Sequence, residues 1–248
     1  MDGRILALAP SWSPDTATFL SLPIGRALTR RLEAVCAVDW FDWPTAHGRW
    51  DGAEPILDSF RRQFREQVSA QHHVLDIAAT GAGILLKAVV DSPARSLIVA
   101  DFYPSPETLR RLELHSLAAA MEGVYQLASS PTQAAITALE GSDPNEERRI
   151  LQLFEENVDH NALSAYMRDL VDFDIAEEDC QVTVPALCLK TRYLMPGEDE
   201  RRAIFQSYAP LMTTGDLKIF PFTFLSEEPG HELAGHVVRF IKKVERSR

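Results

Sequence analysis

The 248-residue chain predicts an α/β domain on a doubly wound, mostly parallel sheet. Two observations carry this. Apolar runs of strand length alternate with amphipathic runs of helix length, and the alternation is interrupted once by a block that reads as helix alone. Parallel strands need crossover connections, so helices of this length imply a sheet covered on both faces.

Arg4–Ala9 is a short apolar run ended by Pro10. It reads as a buried first strand and not as a leader peptide, because the run is brief and Asp2 precedes the lone Arg4. Across Phe19–Leu32, Leu20, Ile24, Leu28 and Leu32 recur at helical spacing, with Pro23 near the start, where a missing N–H is tolerated. Ala34–Val38 reads as a second strand, followed by Asp39 and a Trp-rich loop, WFDWPTAHGRWDG. Ile56–Gln67 is helical, with Ile56, Phe60 and Phe64 on one face.

His73–Ala78 then reads as a strand, ATGAG as a tight turn, Ile84–Val90 as an apolar helix, and Arg95–Ala100 as a strand closed by Asp101. Residues 105–179 carry helical patterns only, with turn signals at Ser129–Pro131 and Gly141–Asn145. Alternation resumes with a strand at Val182–Lys190, a helix at Glu198–Ala209, a strand at Leu217–Phe222 and a closing helix at Glu232–Glu245. Residues 1–104 and 180–248 thus form the core, and 105–179 an inserted helical cap.

Composition narrows the function. The formal net charge of -11 argues against DNA, RNA or anionic membrane as partners, since these need clustered cations. No charge-free apolar stretch is long enough to span a bilayer. Cys36, Cys180 and Cys188 are odd in number and read as core fillers in a reducing cytoplasm, not as a disulfide framework. The basic residues are mostly Arg, an association with GC-rich bacterial genomes. No metal site is expected, because the adjacent His72 and His73 point to opposite faces of a strand. TGAG lacks both the phosphate-loop lysine and dinucleotide glycine spacing, so no cofactor is expected either. The Trp-rich loop suits a ligand mouth, a homodimer contact or packing over the sheet edge. In the helical block Tyr125, Phe154, Tyr166 and Met167 read as an apolar inner face.

The order of these segments resembles the α/β-hydrolase superfamily over nearly the whole chain. VLDIAATGAGILLKAVVDSPARSLIVAD is similar to that family's strand, nucleophile elbow, helix and next strand. The helical block falls after the sixth family strand, where caps are inserted, and VTVPALCLK resembles the seventh strand. The closing EEPGHELAGHVVRFIKK resembles the last helix.

The resemblance implies a catalytic triad, and here this sequence departs from the pattern. The elbow G-x-S-x-G is matched by Ala78, Ala79, Thr80, Gly81 and Ala82, which puts Thr80 where the family has serine. A β-branched residue is poorly suited to the positive φ of that turn. The family acid position falls on Arg192, and a cation cannot orient a histidine. Asp101 stands where some members place the acid instead. The family histidine matches His231 if Gly230-His231 is the G-H step. It falls near Thr223, and is vacant, if the final helix starts at Glu228-Pro229. The oxyanion loop matches Ala9-Pro10-Ser11-Trp12, and Pro10 supplies no N–H.

The site residues expected are therefore Thr80, Asp101 and His231 as catalytic candidates. Ser11, Trp12, Gly81, Tyr103, Arg192 and Tyr193 are the expected substrate contacts. The leading expectation is a biosynthetic enzyme taking a small apolar substrate beneath the cap for non-hydrolytic chemistry: cyclisation, elimination or rearrangement. Asp101 is then the base, with Tyr193 or Arg192 stabilising negative charge. A catalytically inactive binding or scaffold protein is one alternative, and an esterase or thioesterase using Thr80 and His231 is another.

Overall fold

A computed structural model of the chain describes residues 3–9, 15–77, 82–100, 159–172, 180–191, 205–217 and 226–247, with scattered residues in 145–157 and at 203. Six strands, β1 (Arg4–Leu8), β2 (Val38–Phe41), β3 (His72–Asp76), β4 (Ser96–Ala100), β5 (Ala186–Thr191) and β6 (Met212–Leu217), form one sheet in the order β2-β1-β3-β4-β5-β6. All of the pairings are parallel. The expected doubly wound sheet is thus present, and parallel throughout the described residues. β1, β3 and β4 are buried along nearly their whole length, as strands covered on both faces must be.

The helices are α1 (Thr16–Ser21), α2 (Pro23–Glu33), α3 (Ile56–Gln67), α4 (Ala82–Val90), α5 (His160–Asp172) and α6 (Glu228–Arg246). From β1 the chain crosses to β2 on one side, then runs through β3, β4, β5 and β6 on the other. Right-handed crossovers therefore put α2 on one face and α3 and α4 on the opposite face. α6 returns to pack along α2. Gly230 makes that approach close, because a Cβ there would overlap the Ile24 carbonyl oxygen.

Several elements differ from the sequence expectation, each for a local reason. The run expected as one helix over Phe19–Leu32 is two: Leu22 is extended, and Pro23 starts α2. The second strand is Val38–Phe41, not Ala34–Val38, because the amides of Val35 and Cys36 still bond back to the Leu32 carbonyl as α2 unwinds. β5 begins at Ala186, since Val182 is bonded instead to Tyr208 in a separate loop contact. The last strand is Met212–Leu217, earlier than the expected Leu217–Phe222. Its residues MTTGDL are too polar to register as a buried run, because the strand lies at the sheet edge. The closing helix starts at Glu228, four residues before the sequence pattern suggested, with Pro229 in its first turn.

The Trp-rich segment is mostly packing. Trp43 is buried at 2 % exposure and stacks on Phe60 with ring centroids 4.5 Å apart. Trp40 leans on Phe19, and Trp50 donates its indole N–H to the Glu54 carbonyl. Cys180 and Cys188 are buried fillers, while Cys36 is only half-buried. Among the described residues no helix is long and apolar enough to cross a membrane.

Candidate active site

In an open parallel sheet, ligands bind beyond the carboxyl ends of the strands, where the order of winding reverses. Here that reversal lies between β1 and β3: from β1 the chain leaves for β2, and on return it occupies the other side of β1. Leu8 and Asp76 are register partners at this edge, and Val99 of β4 flanks Asp76 on the far side. The connection 77–81 leaves β3 here and enters α4 at Ala82. Thr80, in the nucleophile position of the resemblance, belongs to this connection.

Asp76 ends β3, only 1 % exposed. Its Oδ2 has no hydrogen-bond partner. Burial pushes its carboxyl up to about 7, opposed only by a bond from the Ile77 amide. Among the described residues no neighbouring charge contributes. His73 bonds Glu245 of α6, so by alternation His73 and Leu75 face the α2–α6 layer. Asp76 therefore faces the opposite layer, that of α3 and α4.

Trp43 walls the same edge. Its indole Nε1–H donates to the Ala9 carbonyl, 2.6 Å away, just beyond the end of β1. Tyr166 of α5 meets the Trp43 ring at 5.7 Å, edge to face. α5 comes from the segment 105–179 and packs on α3. Tyr166 is buried, as the apolar inner face predicted. Tyr125, Phe154 and the Met167 side chain lie outside the described residues.

His231 lies in the first turn of α6, its amide bonded to the Glu227 carbonyl at 3.0 Å. Its Nε2 is 3.6 Å from Glu227 Oε2, while its buried Nδ1 has no partner. The helix start at Glu228 matches the alignment that sets the family histidine position near Thr223, outside the described residues. His236 of α6 faces β6: a Cβ on Gly215 would lie 3.1 Å from its Nδ1. Ser11, Trp12, Thr80, Gly81, Asp101, Tyr103, Arg192 and Tyr193 also lie outside the described residues. Asp76 and Trp43 were not singled out as site residues from sequence. The signal for Asp76 was available: a lone acid inside the apolar run HVLDIA.

Two polar clusters lie at the other end of the strands. His73 Nδ1 is 2.8 Å from Ser96 Oγ, and its Nε2 is 3.1 Å from Glu245 Oε1. This serine–histidine–glutamate chain has the connectivity of a triad, but Ser96 is fully buried and no substrate reaches it. On the opposite face, His72 Nδ1 accepts the Ser69 amide, so its Nε2 carries the proton and donates to Asp39 at 3.0 Å. Arg4 grips the same carboxylate with both nitrogens at 2.6 Å, holding Asp39 down at about 2. As expected, the two histidines face opposite ways. Among the described residues no group of three His, Cys, Asp or Glu side chains is placed to hold a metal.

An open cleft of ≈ 500 Å³ runs between α3 and α4, lined by Asp58, Arg61, Arg65, Lys87 and Asp91. Arg61 pairs with Asp58 at 3.1 Å and Arg65 with Asp91 at 2.9 Å. It is a wet, ion-paired groove with little to offer an apolar substrate.

No protein-family model matches this sequence, and no curated protein matches it. Solved structures do. A putative α/β-hydrolase from Nostoc sp. superposes with a TM-score of 0.69 at 15 % identity, covering 96 % of this chain and 90 % of that one. The chain has the α/β-hydrolase fold. An esterase from Exiguobacterium antarcticum gives 0.66 at 13 % identity, over 97 % and 92 % of the two chains. The epoxide hydrolase of Bacillus megaterium, solved with an inhibitor, gives 0.64 at 12 % identity, over 99 % and 94 %. At such identities the likeness establishes the α/β-hydrolase fold and leaves chemistry to the residues of the site.

Proposed function

We propose that this α/β-hydrolase-fold protein is an enzyme that binds a small, largely apolar molecule beyond β1 and β3 and transforms it by proton transfer, without an acyl-enzyme. Cyclisation, elimination and rearrangement are the reactions of this class. One observation carries the reading: the connection from β3 to α4, where the fold presents its nucleophile, contains no serine or cysteine. Arg192 at the acid position and Pro10 in the oxyanion loop add to it, since neither serves acyl transfer. A dry pocket with placed acid and base groups suffices for the reactions named. Asp101 is the base that the sequence nominates, with Arg192 or Tyr193 against developing negative charge.

A second reading, an esterase or thioesterase acting through Thr80 and His231, is favoured by the hydrolases among the structural matches. A third, a binding protein, keeps the pocket without turnover. To separate enzyme from binder, the protein is incubated with a small-molecule extract that is followed by mass spectrometry. Consumption of one compound by wild type, with a new mass at its expense, and loss of that conversion in Asp101→Asn supports the proposal. A compound captured and released unchanged points to a binding protein.

A further inference from the structure

We propose that the cleft between α3 and α4 binds a small phosphorylated polar compound, whose phosphate dianion bridges Arg61 and Lys87. This inference does not depend on the reading above.

The case is a mismatch of charge across the cleft. Arg61 and Arg65 lie one turn apart on α3; Lys87 and Asp91 are spaced in the same way along α4 and just past its end. Residues four apart share a helix face, and all four side chains line the cleft. At one level the two helices complement each other, since Arg65 reaches Asp91 at 2.9 Å. One turn away the match fails, and Arg61 is set against Lys87, cation to cation. Burial and then the field of Arg61 hold the Lys87 ammonium below its usual range, while Asp91, Cys180 and Asp58 act more weakly the other way. The acids nearby are already engaged. Asp91 is held by Arg65, and Asp58 pairs with Arg61 at 3.1 Å from the same helix. On the rim, Arg62 pairs with Glu66 at 3.5 Å and with Glu54 at 2.8 Å. Pairs as exposed as these are weak and yield to a better anion. A phosphate monoester carries nearly two charges and three acceptor oxygens, enough for a guanidinium fork and an ammonium together. A carboxylate brings one charge and leaves one cation unanswered. The cleft, at ≈ 500 Å³, has room for a small molecule, and apart from Ala88 its walls are charged, which suits a polar body such as a sugar. With the whole chain at -11, attraction of an anion has to come from this local pair.

The test is calorimetric titration of the full chain with glucose 6-phosphate, at about pH 7.5 and fixed ionic strength, where the phosphate is mostly dianionic. Saturable one-to-one binding is expected, with a dissociation constant below about 1 mM. Arg61→Gln and Lys87→Gln should each weaken it about tenfold, and Lys242→Gln, on the exposed side of α6, should leave it unchanged. Asp58→Asn removes an acid from the same wall and should tighten binding about threefold, a gain that a merely structural role would not produce. Glucose 6-sulfate, the same body with a single charge, should bind at least about fivefold more weakly, and glucose not at all. Arg61 is partly buried, so a measurement on wild type stands beside its variant. With lysines reductively methylated using 13C, glucose 6-phosphate should raise the titration midpoint of the Lys87 signal and leave that of Lys242 in place. No saturable heat with wild type overturns the proposal, as does undiminished binding in the double variant Arg61→Gln/Lys87→Gln. Glucose binding as well as its phosphate, or a Lys87 signal that the phosphate leaves unmoved, overturns it too.

Discussion

Replacing Asp76 by Asn should change how stability depends on pH, and the size of the change follows from where the carboxyl sits. In the unfolded chain it titrates near its ordinary value of 3.8, and in the folded protein near 7. Between those two values the folded state holds a proton that the unfolded state has released. Wild-type stability therefore falls as pH rises through this window, at up to ~1.4 kcal/mol per pH unit. Below it the contribution is fully present, and above about 7 it is gone. Roughly three units of displacement set a ceiling of about 4 kcal/mol. Asn cannot ionise and carries no such slope. Urea unfolding at about pH 5, 6, 7 and 8 reads the effect as the stability of Asp76→Asn minus that of wild type. That difference should climb by roughly 2–3 kcal/mol across the series and then level. Only the change with pH matters, because any constant cost of the new amide cancels. Parallel curves, agreeing within about 0.5 kcal/mol, would refute the dry, unpaired carboxyl.

Two packing predictions follow from the same description. Gly230→Ala should destabilise the protein by about 1–3 kcal/mol, since a Cβ there collides with the Ile24 carbonyl and forces α6 off α2. Gly235→Ala, five residues on, meets nothing nearer than the flexible end of Arg239 at 3.5 Å and should stabilise by about 0.5–1 kcal/mol. Thermal melts of the pair read both signs. Trp43→Phe removes the N–H that satisfies the Ala9 carbonyl and part of the stack on Phe60. It should cost about 2–4 kcal/mol by urea titration. Trp50→Phe, which gives up a half-buried bond to Glu54, should cost under half as much.

The core was legible in the sequence because parallel strands buried on both faces leave unmistakable apolar runs. RILALA, HVLDIA and RSLIVA each mark β1, β3 and β4 to within a residue or two. Ile56–Gln67 was read with its full bounds, since Ile56, Phe60 and Phe64 make one stripe. Edge strands were read less well. β6 alternates polar residues because only one of its sides is paired, and AVCAV looked like β2 although its first residues end a helix. Of the site residues expected from sequence, only His231 falls among the described residues. An acid within an apolar run reads as an exception until the register sets Asp76 beside Leu8 at the winding reversal. The role of His231 turned on a helix start that sequence left open, and Glu228 as that start puts the residue inside α6.

The central claim is the proposal that this α/β-hydrolase-fold chain works without an acyl-enzyme at Thr80. Intact-mass spectrometry after long exposure to excess fluorophosphonate tests it most directly. The account predicts an unmodified mass for wild type, identical to that of Thr80→Ala. A stoichiometric adduct on wild type that disappears in Thr80→Ala would contradict it.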